Sequence, residues 1–414
     1  WGAIIVMIAL FAMIAFVTNL CTPMATIIKN QGEISNVLAQ IGNYGNFVAY
    51  LLMGIPAGML ISKFGYKKTA LIGLVVGIIG ILIQWFSGQL DAKENLGLVF
   101  GVYLAGAFIA GLCMCILNCV VNPMLNILGG GGNKGNQLIQ LGGVFNSTAA
   151  VACYILMGAL IADATKAKID DATPALMIAL AIFVVAFVVI CFTKIEEPEQ
   201  APVQVELIKE AMSYRHFALG ALAIFLYMGI EVGVPNFVNL YLIETGIPAG
   251  TVGMLVAVYW FMMLIGRLVG ASIGGKVSSR VMITTVSITT LVLVLFGMFA
   301  PTNITVNFPG VDWGKLELIW QEVPLGIFAF LLVGLCTSVM WGGIFNMAVE
   351  GLGKYTAIAS GIFMTMVFGC AVMMFIQASV ADATDYITSF WVVVFCAAYI
   401  LFYALIGSRV NKRA

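Results

Sequence analysis

Residues 143–165 read GVFNSTAAVACYILMGALIADAT, and residues 361–384 read GIFMTMVFGCAVMMFIQASVADAT. Both open on Gly-x-Phe, close on Ala-Asp-Ala-Thr and stay largely apolar between, with one residue of slippage. Roughly twenty helical residues rise about 30 Å, the thickness of bilayer hydrocarbon, so each stretch reads as a membrane span. The likeness makes them counterparts in two halves of one chain. The second and eighth spans add to it, each ending in a Gly-spaced stretch and a basic loop, Gly58 to Lys68 and Gly270 to Arg280. Repetition on a six-span period is the mark of a transporter built from two bundles around a site near the midplane. A channel or a membrane enzyme has no need of it.

Working outward from that pair, the same criterion gives spans at 3–28, 36–61, 69–88, 97–127, 137–162, 174–193, 216–243, 249–274, 281–300, 323–349, 355–380 and 386–408. Composition agrees: 62% of the 414 residues are hydrophobic and 9% charged, against roughly 25% charged in soluble proteins. Mean hydropathy is +1.07. The formal net charge of zero leaves no basic face for nucleic acid. The ten-residue alternation of an outer-membrane barrel is absent. The expected fold is an all-α membrane protein with twelve transmembrane helices in two pseudo-symmetric six-helix bundles. Its one long hydrophilic segment, 194–215, is rich in Glu and Pro and divides bundle 1–193 from bundle 216–414. That linker reads as a solvated tether or as an amphipathic surface helix carrying Val205, Leu207, Ile208 and Met212.

Charge placement orients the chain. Assigning each Lys and Arg to the nearer face puts 14 on the side of the termini and 5 opposite, the latter being Lys29, Lys93, Lys166, Lys168 and Lys315. The positive-inside rule then predicts cytoplasmic termini on a multi-pass protein of the cytoplasmic (inner) membrane. The chain starts at Trp1 directly on a span, without a basic n-region or small-residue cleavage site. It reads as trimmed of a short tail, not as a signal peptide. The nine cysteines all fall inside predicted spans, where neither a disulfide framework nor a zinc site is expected. No metal and no cofactor is expected.

GMLISKFGYKK (58–68) resembles the loop signature between the second and third helices of the major facilitator superfamily, with Ser62 where the family usually places Asp. VVNPMLNILG (120–129), QLGGVFNSTAA (140–150), FLYMGIEVGV (225–234), FMMLIGRLVG (261–270) and SVMWGGIFNMAVEGLGKYTA (338–357) resemble its fucose–galactose–glucose:proton symporter branch. These matches keep their order from the fourth span to the eleventh. The resemblance implies the major facilitator fold, a neutral sugar as substrate, rocking of two bundles and function as a monomer. Proton-coupled members of the branch carry a carboxylate in the first helix and another in the fourth. Here Thr22 and Asn118 occupy those positions, so the resemblance does not supply a proton site.

Ionisable groups at bilayer depth are functional candidates by default. Among the acidic residues only Glu231 lies well inside a predicted span. It sits one turn past Tyr227 and four residues before Pro235, and a carboxyl in apolar surroundings suits reversible protonation. It is the candidate coupling group or sugar-hydroxyl acceptor; the plainer reading is a structural lock with a neighbouring helix. On the fourth span Asn118, Asn122 and Asn126 recur every four residues and form one polar stripe. Amides offer both donor and acceptor to hydroxyls, although bonds between helices explain such a stripe equally well. Asn118 and Asn122 are read as substrate contacts and Asn126 as a gate or packing residue. Asn19, Thr22 and Thr26 lie on one side of the first span, and Gln40, Asn43, Phe47 and Tyr50 recur on the second. The fifth span adds Gln140, Asn146 and Ser147, and the seventh adds Asn236 and Asn239.

Together these describe a lumen lined by neutral hydrogen-bonding groups, which fits a neutral polyol better than an organic anion. Trp341 in the tenth span, with Phe345 one turn on, and Trp260 in the eighth are candidate platforms for a sugar ring. The alternative for both is lipid-facing or interfacial packing. Trp1, Trp85, Trp313 and Trp320 read as interfacial anchors. Arg267, near the end of the eighth span on the termini side, is a candidate gate or latch, as are Lys63 and Lys67 in the loop after the second span. Gly129 to Gly135 lacks the Gly-Lys-Ser/Thr ending of a phosphate loop. His216, the single histidine, opens the seventh span at the interface and leaves no catalytic constellation. The expected function is secondary active sugar transport, with a proton as first choice of coupling ion, sodium second and uncoupled transport third. A sugar sensor that has lost turnover is the reading from another class.

Overall fold

In the computed structural model, residues 1–414 are described except 92, 130–131, 162–165, 198–204, 274–275, 353–354 and 411–414, and the side chains of 126, 132–137, 140, 271, 356–357 and 360 also lie outside the description. Among the described residues, eleven helical segments are long and apolar enough to cross a membrane. One of them, Ile41–Gln89, is 49 residues long, about 74 Å at helical rise and more than twice the hydrocarbon thickness. It is broken at Gly65, whose φ of 79° and ψ of 173° lie outside what a side chain tolerates. The break leaves two antiparallel crossings, 41–64 and 66–89, and hence the expected twelve spans. Glu197, just past the sixth span, accepts from the backbone N–H groups of Tyr66 (2.7 Å) and Lys67 (2.8 Å) and so pins this tight corner.

The other spans are Gly2–Gly32, Leu96–Leu128, Gly132–Leu160, Thr173–Phe192, Arg215–Glu244, Ala249–Ile273, Ser279–Phe299, Leu325–Val349, Thr356–Ala383 and Tyr386–Gly407, with a short helix Leu207–Met212 in the linker. The helical alternative for the linker therefore holds over those six residues. Among the described residues four spans are interrupted: the first at Leu20, the seventh at Val232, the eleventh at Val367 and Phe368 and the twelfth at Phe390. Pro235 explains part of the seventh. It has no N–H to give the carbonyl four residues back, which is that of Glu231, and the Tyr259 hydroxyl donates to that oxygen instead at 2.9 Å.

Spans from the two halves meet along two seams, the fifth against the eighth and the second against the eleventh. Small residues permit the approach: a Cβ on Gly253 would lie 2.5 Å from the Tyr154 carbonyl oxygen, and one on Gly54 would lie 2.9 Å from the Thr365 nitrogen. The connection from ninth to tenth span is an antiparallel hairpin of β1 (Thr305–Asp312) and β2 (Glu317–Pro324) on the face away from the termini.

Candidate transport site

Glu231 is half-buried where the seventh span breaks. The buried Tyr227, one turn earlier, places its hydroxyl between the Glu231 carboxyl and the Thr337 carbonyl oxygen, 3.4 Å away. Tyr259 from the eighth span meets the same group through the Glu231 carbonyl and stands 3.2 Å from the Thr337 hydroxyl. Trp341 closes the group from the tenth span, its ring 6.2 Å from that of Tyr227 at 55°. Tyr227, Glu231 and Trp341, singled out separately in the sequence, thus form one constellation, joined by Tyr259, the neighbour of Trp260 in the eighth span, and by Thr337, which no sequence signal marked.

Arg267 lies close enough to act electrostatically on Glu231 and Tyr227, yet its guanidinium is tied across the seam to the fifth span. It donates to the Gly143 carbonyl oxygen (2.5 Å), the Ser147 hydroxyl (2.9 Å) and, at the limit of bonding, Asn146 Oδ1 (3.5 Å). Asn146 also donates from Nδ2 to the Phe11 carbonyl oxygen of the first span (2.8 Å). One cation therefore touches the opposite half while standing near the half-buried acid of its own half.

Asn118 and Asn122 are half-buried on the fourth span. Asn118 donates to the Tyr50 hydroxyl (3.0 Å) and Asn122 to its own helix at the Asn118 carbonyl oxygen (3.1 Å), and among the described residues neither amide oxygen accepts a hydrogen bond. Asn43 and Asn236 converge on Gln40: both donate to its Oε1, at 2.5 and 2.9 Å. All three are buried, and among the described residues Gln40 Nε2, Asn43 Oδ1 and Asn236 Oδ1 have no hydrogen-bond partner.

Other expected site residues sit elsewhere. Asn19 is buried and bonds back to Ala15 of its own helix (2.8 Å). Trp260 is buried in the seam of fifth and eighth spans, stacked on Tyr154 with centroids 6.4 Å apart. The side chains of Gln140 and Asn126 lie outside the described residues. Lys67 donates to the Cys191 and Thr193 carbonyl oxygens (3.1 and 2.8 Å), ties within its own half. Lys63 rests over the ring of Phe64 at 5.2 Å. Neither lysine makes a bond across the halves among the described residues. His216 is buried at the head of its span, its Nε2 2.8 Å from the Glu350 carbonyl oxygen.

The face away from the termini is closed by a second network. Thr26 donates to Asn239 (2.7 Å), Tyr386 donates to Asn36 (2.7 Å), and Lys29 donates to the Tyr386 hydroxyl. The Asp382 carboxylate accepts from the N–H groups of Asn36 (2.7 Å) and Val37 (3.0 Å), an anion at the start of a helical turn.

The described family Major Facilitator Superfamily matches residues 4–376. The chain belongs to the major facilitator superfamily. It is a transporter, not an enzyme. A glucose/galactose transporter of Brucella abortus biovar 1 (strain 9-941) is 28% identical over 411 residues, covering 97% of this chain and 92% of the relative. An L-fucose-proton symporter of Escherichia coli (strain K12) is 20% identical over 97% of this chain and 92% of its own length. Among solved structures, the transporter FucP in its outward conformation superposes with a TM-score of 0.69 at 20% identity, covering 98% of this chain and 99% of that one. A D-xylose-proton symporter gives 0.72 at 12% identity, over 99% and 98%. The superfamily member described here carries the fold of both.

Proposed function

We propose that this transporter carries a neutral monosaccharide, a hexose or deoxyhexose, across the cytoplasmic membrane by proton symport, with both termini cytoplasmic and the monomer as the working unit. The bundles 1–193 and 216–414 rock about the central site, joined by the linker 194–215. The observation that carries the reading is the constellation of Glu231, Tyr227 and Trp341: a half-buried acid, a hydroxyl beside it and an aromatic ring, with the Asn118 and Asn122 amides on the fourth span. A sugar needs such a lining, since its hydroxyls take amide partners while its C–H face lies against a ring. The names of the relatives, a glucose/galactose transporter and a fucose-proton symporter, support the same substrate class.

In this reading Glu231 takes up a proton on one side and returns it on the other. Asn118, Asn122 and Trp341 hold the sugar, and Asn43 and Asn236 receive its hydroxyls when the far face opens. Arg267 reads the charge of Glu231: the ionised acid competes for the guanidinium, and the neutral acid leaves it to hold the fifth span. Lys63 and Lys67 serve as gate residues of the corner at Gly65.

The test is uptake of labelled glucose, galactose and fucose into proteoliposomes under a proton gradient, a sodium gradient or neither. Accumulation driven by protons alone is expected. Accumulation driven by sodium moves the coupling ion, and equilibration without accumulation makes the protein a uniporter, in keeping with Thr22 and Asn118 where relatives of the branch carry acids. Binding without uptake makes it a sensor, and no response to any sugar removes the substrate class.

A further inference from the structure

The β1–β2 hairpin has two unlike faces. In its register Val306 pairs with Val323, Phe308 with Gln321 and Gly310 with Ile319, while Pro309 pairs with Trp320 and Val311 with Leu318. Side chains alternate between faces, so Phe308, Gly310 and Val323 share one face, and Pro309, Val311, Leu318 and Trp320 share the other. The first face is spent on the protein. The Phe308 ring lies 6.1 Å from that of Phe328 in the tenth span, Val323 is buried, and a Cβ on Gly310 would lie 2.1 Å from the Thr251 hydroxyl. The second face has no such cover: Leu318 is 71% exposed and Trp320 68%, with Leu316 at the turn 79% exposed.

The hairpin does not stand up into water. Its base is closed by the bond from Leu325 N–H to the Ile304 carbonyl oxygen (2.9 Å), at the head of the tenth span. Its tip lies on the head of the eighth: a Cβ on Gly250 would be 2.8 Å from the Val311 carbonyl oxygen and 3.0 Å from the Trp313 ring. Base and tip therefore lie at the same level, where the spans begin. Phe299 at the end of the ninth span, on the same side of the molecule, is likewise 70% exposed, and its ring meets that of Trp391 at 6.1 Å.

We propose that this hairpin is a lipid-docking element, with Leu316, Leu318 and Trp320 seated among the headgroups and upper acyl chains of the leaflet away from the termini. Aromatic and aliphatic side chains concentrate at that depth because one end of the environment is wet and the other apolar. Residues 305–324 carry three acids, Asp312, Glu317 and Glu322, against Lys315 alone, which suits a zwitterionic headgroup and not an anionic one. Docking would tie the eighth, ninth and tenth spans to the leaflet whatever substrate is carried.

The test uses the full chain in phosphatidylcholine vesicles, with every tryptophan except Trp320 replaced by Phe. Lipid brominated high on its acyl chains should quench about half or more of the Trp320 emission, and iodide added to the water should quench little, as for an interfacial ring. Strong iodide quenching without bromolipid quenching would place the face in water and overturn the proposal. Shielding from both quenchers would mean that protein, such as a second copy, covers the face, and overturns it equally. If the multiple variant does not fold, the same quantities come from the difference between the native chain and Trp320→Phe.

Discussion

On the face away from the termini, hydrogen bonds between the halves are spread over several spans: Thr26 to Asn239, Asn236 to Gln40, Tyr386 to Asn36, Lys29 to Tyr386, and Asp382 to the turn at Asn36 and Val37. On the termini side, the bonds between the halves among the described residues gather on the one guanidinium of Arg267. A distributed closure loses little when one member goes. A closure held by one charged group can be released by a single event near it, and Glu231 is a half-buried acid within its electrostatic reach. The contrast suggests a division of labour in which the far face sets the resting balance and the termini side responds to the ion.

The largest effect should come from removing the responder. Glu231→Gln keeps the shape and a hydrogen-bonding end but cannot ionise. Proton-driven accumulation should fall to the equilibrium ratio, while exchange of labelled for unlabelled sugar persists. Uptake against a gradient in this variant would break the asymmetry between the faces, because the charge-sensing side would then sense nothing. Arg267→Gln comes next. It removes the charged donor to Gly143 and Ser147, and hydrogen bonds to charged groups contribute about 1.5–3 kcal/mol each. The equilibrium should therefore move roughly tenfold or more toward separation of the fifth and eighth spans at the termini face. Distances between spin labels on those two spans, measured with and without the variant, check it.

A smaller effect is expected from the far face. Gln40→Ala and Asn236→Ala each remove a member of a buried amide cluster that already has unpartnered atoms. Each single change should open the far face modestly, and a double-mutant cycle should return a coupling of about 1 kcal/mol or less, as polar pairs in membranes do. A coupling as large as the Arg267 effect would show that the far face too hangs on one bond.

The twelve crossings and the likeness of the fifth and eleventh spans were open to reading from hydropathy, because each span must meet lipid on its own. Tyr227, Glu231 and Trp341 were legible one by one, since a buried acid or an amide stripe is costly wherever it falls. Their assembly was not, because Gln40 and Asn236 stand 196 residues apart and no local pattern announces such a pair. The corner at Gly65 could be seen as a basic loop, yet its capture by Glu197 hides in an acidic segment that reads as solvated. The hairpin at 305–324 left a weak signal in the run Glu317-Leu318-Ile319-Trp320, which a search for twenty-residue spans passes over. Trp260 was legible only as an aromatic in a span; its stacking on Tyr154 and its edge contact with Tyr259 depend on how the fifth and eighth spans pack.

The smallest expected effect concerns Asp385, at the head of the twelfth span on the far face. Its carboxylate accepts from the Thr388 hydroxyl (2.6 Å) and the Thr388 N–H (2.9 Å), capping the turn that starts the helix. The hydroxyl bond first, and the backbone bonds with it, hold this carboxyl below the ordinary aspartate range. A depressed value in the folded state means that the cap contributes fully above the ordinary aspartate pKa and is lost as pH falls through the lowered one. Asp385→Ala should therefore lower thermal stability slightly at neutral pH, by about 1 kcal/mol or less for an N-cap, and the difference from the native chain should vanish in strong acid. Because Tyr386, the next residue, joins Asn36 across the halves, loosening this cap should also weaken the far closure without touching Arg267. A melting series from neutral to acidic pH, run beside the spin-label distances on the fifth and eighth spans, separates the two. A shift in those distances on the termini side would mean that the two faces are not independent after all.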